Sequence, residues 1–278
     1  MASALSLASR AVGQVAPNPA VGCLLTDPEG RTIARGWTQP GGRPHAEAEA
    51  ISNARARGAS LKGAHAYVTL EPCAHEGQTP PCADALIEAG IARVVIACTD
   101  PDLRVNGEGI RKLEQAGIEV RTGLFEADAK ALNAGFLMRQ SEGRPLVALK
   151  LATSLDGCIA TASGHSQWIT GETARAYGHL LRAQHDAVLT GMGTVLADDP
   201  QLTCRLPGFE EHQPVRIVID THARLPSASK LLATTHQAPL WVITGPDAED
   251  LDIIRLQKEG AQVLRAPSAV HGGVDLAA

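Results

Sequence analysis

Aromatic residues are scarce in this chain: Phe, Trp and Tyr together make up 3% of its 278 residues. A hydrophobic core must therefore be built mainly from Ala, Val, Leu and Ile, and the apolar fraction of 44% is large enough for one. Blocks of Lys and Arg are also absent and the net charge is −5, which excludes a general nucleic-acid surface. This charge is still compatible with a small anionic ligand held by a few arginines.

Long apolar segments are missing too. No run approaches the roughly 20 residues that a membrane-spanning helix needs, and residues 1–10 do not resemble a secretory signal peptide. We therefore expect a cytoplasmic protein without a membrane partner, whose six cysteines are reduced. Cys23, Cys98 and Cys158 lie in apolar or turn contexts and are predicted to be small buried residues.

Strand and helix patterns alternate along the whole chain, which predicts an α/β fold with helices on both sides of a sheet. Two strands around the turn at 27–30 come first, and a helix near 45–57 that ends at Gly58 follows. The polar stretch at 139–145 contains Gly and Pro, and it predicts a boundary between domains 1–142 and 143–278. After it the pattern restarts, with "LVALKLA" (146–152) as the first predicted strand.

One histidine, one glutamate and two cysteines lie close to predicted turns and helix starts: His45, Glu47, Cys73 and Cys82. Zinc prefers imidazole and thiolate ligands, and a catalytic zinc keeps three protein ligands and one water. His45, Cys73 and Cys82 supply these three ligands. Glu47 is then free to act as a general acid and base. The positive end of a helix that starts near Cys82 favours a thiolate at this residue.

A structural zinc site is the alternative interpretation of the same residues. Such a site is normally closed by a fourth ligand, and His75 is a nearby candidate. The general zinc-deaminase signature, H-x-E followed by P-C-x-x-C, also fits only in part. Here "HAE" and "PC" are present, but the second cysteine, Cys82, lies well beyond the expected spacing from Cys73.

Several longer motifs resemble one family. In the first half they are "PNPAVGC" (17–23), "HAEAEA" (45–50) and "EPCAHEGQTPPC" (71–82). In the second half they are "ATSLDG" (152–157), "SQWIT" (166–170), "LLRAQHDAVLTG" (180–191), "TVLADDPQLTCR" (194–205) and "VRIVID" (215–220). From about residue 4 to about residue 266, the chain resembles the bifunctional deaminase–reductases of riboflavin biosynthesis.

For the first half, the resemblance implies a cytidine-deaminase-like zinc domain with a mixed sheet flanked by helices. Its substrate would be a phosphoribosyl pyrimidine, 2,5-diamino-6-(5-phosphoribosylamino)pyrimidin-4(3H)-one. Zinc-bound hydroxide would attack the amino-bearing carbon while Glu47 shuttles the proton and ammonia leaves. Asn18 and Ala46 would contact the pyrimidine. One Zn²⁺ per chain would be bound by His45, Cys73 and Cys82.

For the second half, the resemblance implies a dihydrofolate-reductase-like α/β domain that uses NADPH to reduce the ribosyl group to ribityl. The residues implied to contact NADPH are Ala152, Trp168, Thr194, Asp198 and Thr221. Those implied to hold the substrate are Ser166, Arg182, Leu202 and Arg205. A planar guanidinium pairs well with phosphate, which gives Arg182 and Arg205 a physical reason to bind the phosphoribosyl tail. Because family members form oligomers, we expect a homo-oligomer.

The sequence departs from this family in two places. Asp102 and Leu103 replace the Asn-Pro pair that usually follows "DP" in a loop that would line the pyrimidine pocket. Reductase domains of the family also continue past the point where this chain stops. We therefore expect domain 143–278 to be incomplete and to bind NADPH weakly or not at all, while the deaminase domain works.

Two other functions share the zinc residues. A deaminase of cytidine, guanine or tRNA adenosine would use the same ligands without a reductase-like second half. A non-catalytic, zinc-stabilised protein would bind the metal and release no ammonia. Metal analysis combined with an assay of ammonia release separates these possibilities from the riboflavin-pathway deaminase.

Overall fold

The computed structural model describes residues 1–76, 80–101 and 106–277. The chain divides into two compact units, Met1–Leu149 and Lys150–Ala278, and each is described by itself. The domain boundary at 142/143 stays a prediction. In the structure, a helix ends at Glu142 and the division between the units falls seven residues later.

The first unit is a mixed sheet with helices packed against it. Its strands are β1 (Gly22–Thr26), β2 (Thr32–Trp37), β3 (His65–Val68), β4 (Arg93–Ile96) and β5 (Glu119–Thr122). Its helices are α1 (Ala2–Ala8), α2 (Ala46–Ala56), α3 (Cys82–Glu88), α4 (Glu108–Gln115), α5 (Glu126–Leu132) and α6 (Ala134–Glu142). The strand order is β2-β1-β3-β4-β5. β1 is antiparallel to its two neighbours, whereas β3, β4 and β5 are parallel.

A close backbone contact holds α2 against the sheet. A Cβ atom added to Gly36 of β2 would lie 2.2 Å from the carbonyl oxygen of Ala46 and 2.5 Å from the amide nitrogen of Ala50. Only glycine leaves room for this approach. The first turn of α2, which carries Glu47, is therefore fixed by contact with β2.

A buried side chain joins the end of this unit to its beginning. Asn133 lies between α5 and α6 and is 4% exposed. Its side-chain oxygen accepts from the Ala20 amide at 2.8 Å, and its side-chain nitrogen donates to the Ala20 carbonyl at 2.9 Å. The pair spans 113 residues of sequence, so α6 is held next to the segment that leads into β1.

The second unit is a parallel sheet. Its strands are β6 (Ala187–Gly191), β7 (Val215–Ile219), β8 (Leu240–Thr244) and β9 (Gln262–Arg265), in this order. Its helices are α7 (Glu172–Ala183), α8 (Met192–Asp198), α9 (Lys230–Ala233) and α10 (Asp250–Lys258). All three strand pairs are parallel, so the carboxyl ends of the strands lie at one edge. The core contains the fully buried Val218, Leu225, Leu231, Val242 and Leu256.

The α/β fold class is confirmed, with one mixed and one parallel sheet. The strand predicted for residues 146–152 is wrong. This segment has no strand, and Val147 and Leu149 are 81% and 82% exposed. No strand pairs with it in the described ranges, and a strand needs a hydrogen-bonded neighbour. Cys158 is exposed rather than buried. None of the helices within the described residues has the length and apolar character needed to cross a membrane.

Candidate active site

The four predicted deaminase residues come from two helix starts and one strand end. His45 is the N-cap of α2 and Glu47 lies in its first turn. Cys82 is the first residue of α3, and Cys73 follows β3 after a short connection. Proline precedes both His45 and Cys82. Because proline has a fixed φ and no amide hydrogen, it is tolerated at the start of a helix but not in its interior, so both prolines mark where a helix begins.

The structure brings His45, Cys73 and Cys82 together with ligand atoms within 4.8 Å of one another. The Nδ1 atom of His45 lies 3.7 Å from the Cys73 sulfur and 3.4 Å from the Cys82 sulfur. A tetrahedral zinc with Zn–S near 2.3 Å and Zn–N near 2.05 Å requires nitrogen–sulfur distances of about 3.6 Å. The donor types and their spacing therefore fit zinc.

The charge balance of this cluster also favours a cation. A hydrogen bond from the Cys82 thiol, together with one involving His45, lowers the pKa of Cys73 to about 4. The hydrogen bond to Cys73 and burial raise the pKa of Cys82 well above its usual value. The Cys82 amide also donates to the Cys73 sulfur at 3.3 Å. A bound divalent cation would stabilise both thiolates.

Glu47 is a buried carboxyl group beside these ligands. It is 3% exposed, and burial, followed by the charge of Cys73, raises its pKa to about 7. Among the described residues, the ligand group contains neither Glu47 nor His75. The fourth ligand of a closed structural site is therefore not supplied by His75, whose buried Nδ1 has no hydrogen-bond partner in the described part of the chain.

A pocket of about 330 Å³ opens onto this cluster. Asn18 contributes to its wall, and Ala46 is completely buried, with its carbonyl oxygen against Gly36 of β2. Charged and polar side chains dominate the rest of the lining. Those not predicted from the sequence are Thr38, Arg43, Glu71, Asp100, Arg139 and Gln140. The departure at Asp102 and Leu103 lies outside the described residues.

In the second unit, three of the predicted NADPH residues lie beyond the carboxyl ends of neighbouring strands. Thr194 and Asp198 are on α8, which follows β6 directly, and Thr221 follows β7. Open α/β sheets bind ligands at this edge. Ala152 and Trp168 lie outside regular structure, and the Trp168 ring is stacked by Arg175 at 4.7 Å.

The predicted substrate residues of this unit form two groups. Ser166 lies outside regular structure near Trp168, whereas Arg182 on α7 donates to the Thr203 carbonyl at 3.0 Å. This contact brings Arg182 to the segment that carries Leu202 and Arg205. The Arg205 amide in turn donates to His179 Nδ1 at 3.2 Å.

His179 lies beside a positively charged pair formed by Arg182 and Arg205. Burial, and then the charges of Arg182 and Arg205, lower its pKa. Burial and the charge of Arg205 likewise lower the pKa of Arg182. No carboxylate pairs with either arginine in the described part of the chain, so the pair suits an anion.

A buried arginine contacts the start of the segment that carries Leu202 and Arg205. Arg216 of β7 is completely buried and donates to the Gln201 carbonyl at 3.2 Å and to Thr234 Oγ1 at 2.7 Å. Burial lowers its pKa to about 10, so it remains charged at neutral pH. Gln201 precedes Leu202, whose backbone has a positive φ of 59°, and Arg216 therefore fixes the start of this segment.

Two family models match the chain. Residues 1–98 match the zinc-binding region of cytidine and deoxycytidylate deaminases, and residues 145–278 match the RibD C-terminal domain. The riboflavin biosynthesis protein RibD of Aquifex aeolicus is 45% identical over 95% of this chain and 72% of that protein. The chain belongs to the RibD family. RibD of Escherichia coli is 49% identical over 84% of this chain and 65% of its own length.

Solved structures of RibD-family proteins are similar to this chain over most of its length. The diaminohydroxyphosphoribosylaminopyrimidine deaminase/5-amino-6-(5-phosphoribosylamino)uracil reductase of Thermotoga maritima has a TM-score of 0.83 at 38% identity, covering 96% of this chain and 80% of that one. Acinetobacter baumannii RibD also has a TM-score of 0.83, at 42% identity over 95% and 72%. The chain thus contains a cytidine-deaminase-like zinc domain and a dihydrofolate-reductase-like NADPH domain, and its function lies in riboflavin biosynthesis.

Sequence reasoning missed the far wall of the deaminase pocket of this RibD-family chain. Phe136 and Arg139 reach the pocket from α6, more than 60 residues from Cys73 in the sequence. No local motif marks them. The buried Glu71 did have a signal, since a glutamate directly after an apolar strand and before Pro-Cys must find partners when it is buried.

Proposed function

We propose that the first unit hydrolyses the amino group of 2,5-diamino-6-(5-phosphoribosylamino)pyrimidin-4(3H)-one and releases ammonia. The observation that carries the proposal is the three-ligand group of His45, Cys73 and Cys82 beside the buried Glu47, with His45, Cys73 and Glu47 lining one pocket. Zinc bound by these ligands would supply the Lewis acid that activates water for attack on the ring.

Glu47 moves the proton in this reaction. Its carboxylate accepts a proton from the attacking water and delivers a proton to the leaving nitrogen, so the C–NH₂ bond is replaced by C=O and ammonia departs. The raised pKa of Glu47, about 7, suits a group that must both accept and donate near neutral pH. The buried Leu70 and Val21 form an apolar part of the pocket lining, and low local polarity strengthens polar interactions.

The substrate carries a phosphate, and two arginines line the same pocket. Arg43 is partly buried and Arg139 is exposed at the end of α6. A guanidinium group forms paired hydrogen bonds with phosphate oxygens. Arg139 and Arg43 thus bind the phosphoribosyl tail while the pyrimidine ring reaches Glu47.

The second unit reduces the ribosyl group of the deaminated product with NADPH. Ala152, Trp168, Thr194, Asp198 and Thr221 contact the cofactor. The substrate residues are Ser166, Arg182, Leu202 and Arg205. The pair of Arg182 and Arg205 supports this assignment, because the two guanidinium groups hold excess positive charge where a phosphate would bind.

The protein acts in the cytoplasm as a homo-oligomer. Its cysteines are free, which suits a reducing compartment. Leu189 of β6 and Trp168 are 54% and 71% exposed, and large exposed apolar side chains favour cover by another surface. Light scattering behind size-exclusion chromatography measures the oligomeric state, and a monomer at high concentration contradicts it.

The decisive experiment measures ammonia release by the zinc-loaded chain from the diaminopyrimidine phosphate, from cytidine and from guanine. We expect release from the first substrate alone. Glu47→Gln should keep one zinc per chain and lose ammonia release by about 10²-fold or more, the usual scale for a general acid and base. Normal deamination by this variant would assign the proton transfer to another group.

A further inference from the structure

Glu71 is a buried carboxylate for which neither the zinc cluster nor the reaction provides a role. It follows β3, precedes Pro72 and Cys73, and is 4% exposed. A buried carboxylate is costly unless hydrogen-bond donors or cations compensate it. Its donors therefore indicate what it does.

Among the described residues, four backbone amides donate to this one side chain. The amides of Gly109 and Ile110 donate to Oε1 at 3.0 and 3.4 Å, and those of Asp100 and Gly107 donate to Oε2 at 3.3 and 3.1 Å. A carboxylate offers about four acceptor positions. The described donors thus match these positions in number, and they are backbone groups at Asp100 and at 107–110.

The amides of Gly109 and Ile110 belong to the first turn of α4. This helix begins after Gly107, which has no side chain to cap it. A normal N-cap side chain accepts from the second or third amide of the helix, and these are the amides that Glu71 receives. Glu71 thus caps α4 from another part of the chain, at the positive end of the helix.

The same helix start is packed directly on the cysteine segment. A Cβ added to Gly109 would lie 2.0 Å from the carbonyl oxygen of Pro72. Pro72 separates Glu71 from Cys73, one of the zinc ligands. On the other side of the carboxylate, Asp100 is held by its amide while it lines the pocket together with Glu47.

We propose that Glu71 is a positioning residue, which fixes the pocket wall at Asp100 and the start of α4 relative to the Cys73 segment. Its effect on the substrate passes through Asp100 and not through direct chemistry. The kinetic part of this inference rests on the proposed deaminase function, whereas the structural part does not.

The structural part is tested by Glu71→Gln, whose amide group would point N–H at backbone N–H. Glutamine keeps one acceptor oxygen, so hydrogen exchange of the zinc-loaded protein should accelerate at least about 10-fold at one of the two amide pairs, Asp100 and Gly107 or Gly109 and Ile110. Amides of β4 should be unchanged. Glu114→Gln, an exposed change of the same kind on α4, is the matched control. Equal exchange in the two variants overturns the proposal. If Glu71→Gln does not fold, Glu71→Asp is measured instead, with a smaller acceleration expected.

The kinetic part uses ammonia release and a double-mutant cycle with Asp100→Asn. Glu71→Gln should keep one zinc and lose about 10-fold or more in kcat/KM. Adding Asp100→Asn to this variant should then lower kcat/KM by a much smaller factor than the same change does in the wild-type chain. The positioning role is overturned if the factors by which the two single variants lower kcat/KM multiply in the double variant. It is also overturned if Glu71→Gln loses zinc in proportion to its loss of activity. A wild-type chain that releases no ammonia overturns the proposed function instead, and the exchange result still decides the role of Glu71.

Discussion

Replacing Gly36 by Ala tests the backbone contact that positions α2. The new Cβ would lie 2.2 Å from the Ala46 carbonyl oxygen and 2.5 Å from the Ala50 amide nitrogen. A carbon normally stays about 3.3 Å or more from a carbonyl oxygen. Since both neighbours are backbone atoms, the whole of α2 must move away from β2 by about 1 Å. His45 and Glu47, on either side of Ala46, would move with it.

Two measurable losses should follow from this retreat. Overpacking of this kind lowers the free energy of unfolding by about 1–3 kcal/mol. A loss of about 2 kcal/mol lowers Tm by roughly 4–8 °C in a unit of this size. A misplacement of about 1 Å near the reacting groups costs about 10²-fold in rate. Ammonia release and thermal unfolding of the zinc-loaded protein measure both.

Gly135→Ala is the matched control in the same unit. Its Cβ would meet only the Leu146 Cβ at 3.7 Å, an ordinary contact, and alanine is the better helix former. We expect Tm and rate to stay at wild-type values or slightly above in this variant. A Gly36→Ala protein with the same Tm and rate as this control would refute the reasoning from the close contact.

Cys82→Ser should lose zinc and ammonia release together, measured by metal analysis; full zinc occupancy would remove Cys82 from the ligand set. Arg139→Gln should raise KM for the phosphorylated substrate by about 10-fold with little change in kcat, and an unchanged KM would place the phosphate elsewhere. Because burial and the charges of Arg182 and Arg205 lower the pKa of His179, saturating inorganic phosphate should raise it. NMR titration, assigned with His179→Asn, measures this shift, and an unchanged pKa argues against an anion site.

The sequence predicted the parts of the site that depend on local order. Proline fixes both helix starts, so the local sequence was enough to place His45 and Cys82 there, and the H-x-E spacing put Glu47 beside the metal ligands. Distant parts could not be predicted this way. Arg139 reaches the pocket because long-range contacts, among them the Asn133–Ala20 hydrogen bonds, hold α6 near β1, and no periodicity encodes such a contact.

The predicted strand at 146–152 failed for a related reason. Its apolar composition is typical of a buried strand, but composition does not supply a neighbour to pair with. Glu71 shows the opposite case, in which a buried charged residue accepts from four amides of the described residues that the sequence leaves unmarked. Local propensity thus identifies the elements, whereas pairing and burial depend on residues far along the chain.

The Asn133–Ala20 pair also sets a limit on how early the first unit can finish folding during synthesis. Ribosomes add roughly 5–20 residues per second, so the 113 residues between the two partners take about 6 to 23 s to appear. For that time the polar backbone groups of Ala20 lack the amide that later satisfies them, and α6 cannot take its place beside the nascent pocket. A ribosome-bound chain ending before residue 133 should therefore carry a zinc cluster whose pocket is still open on one side.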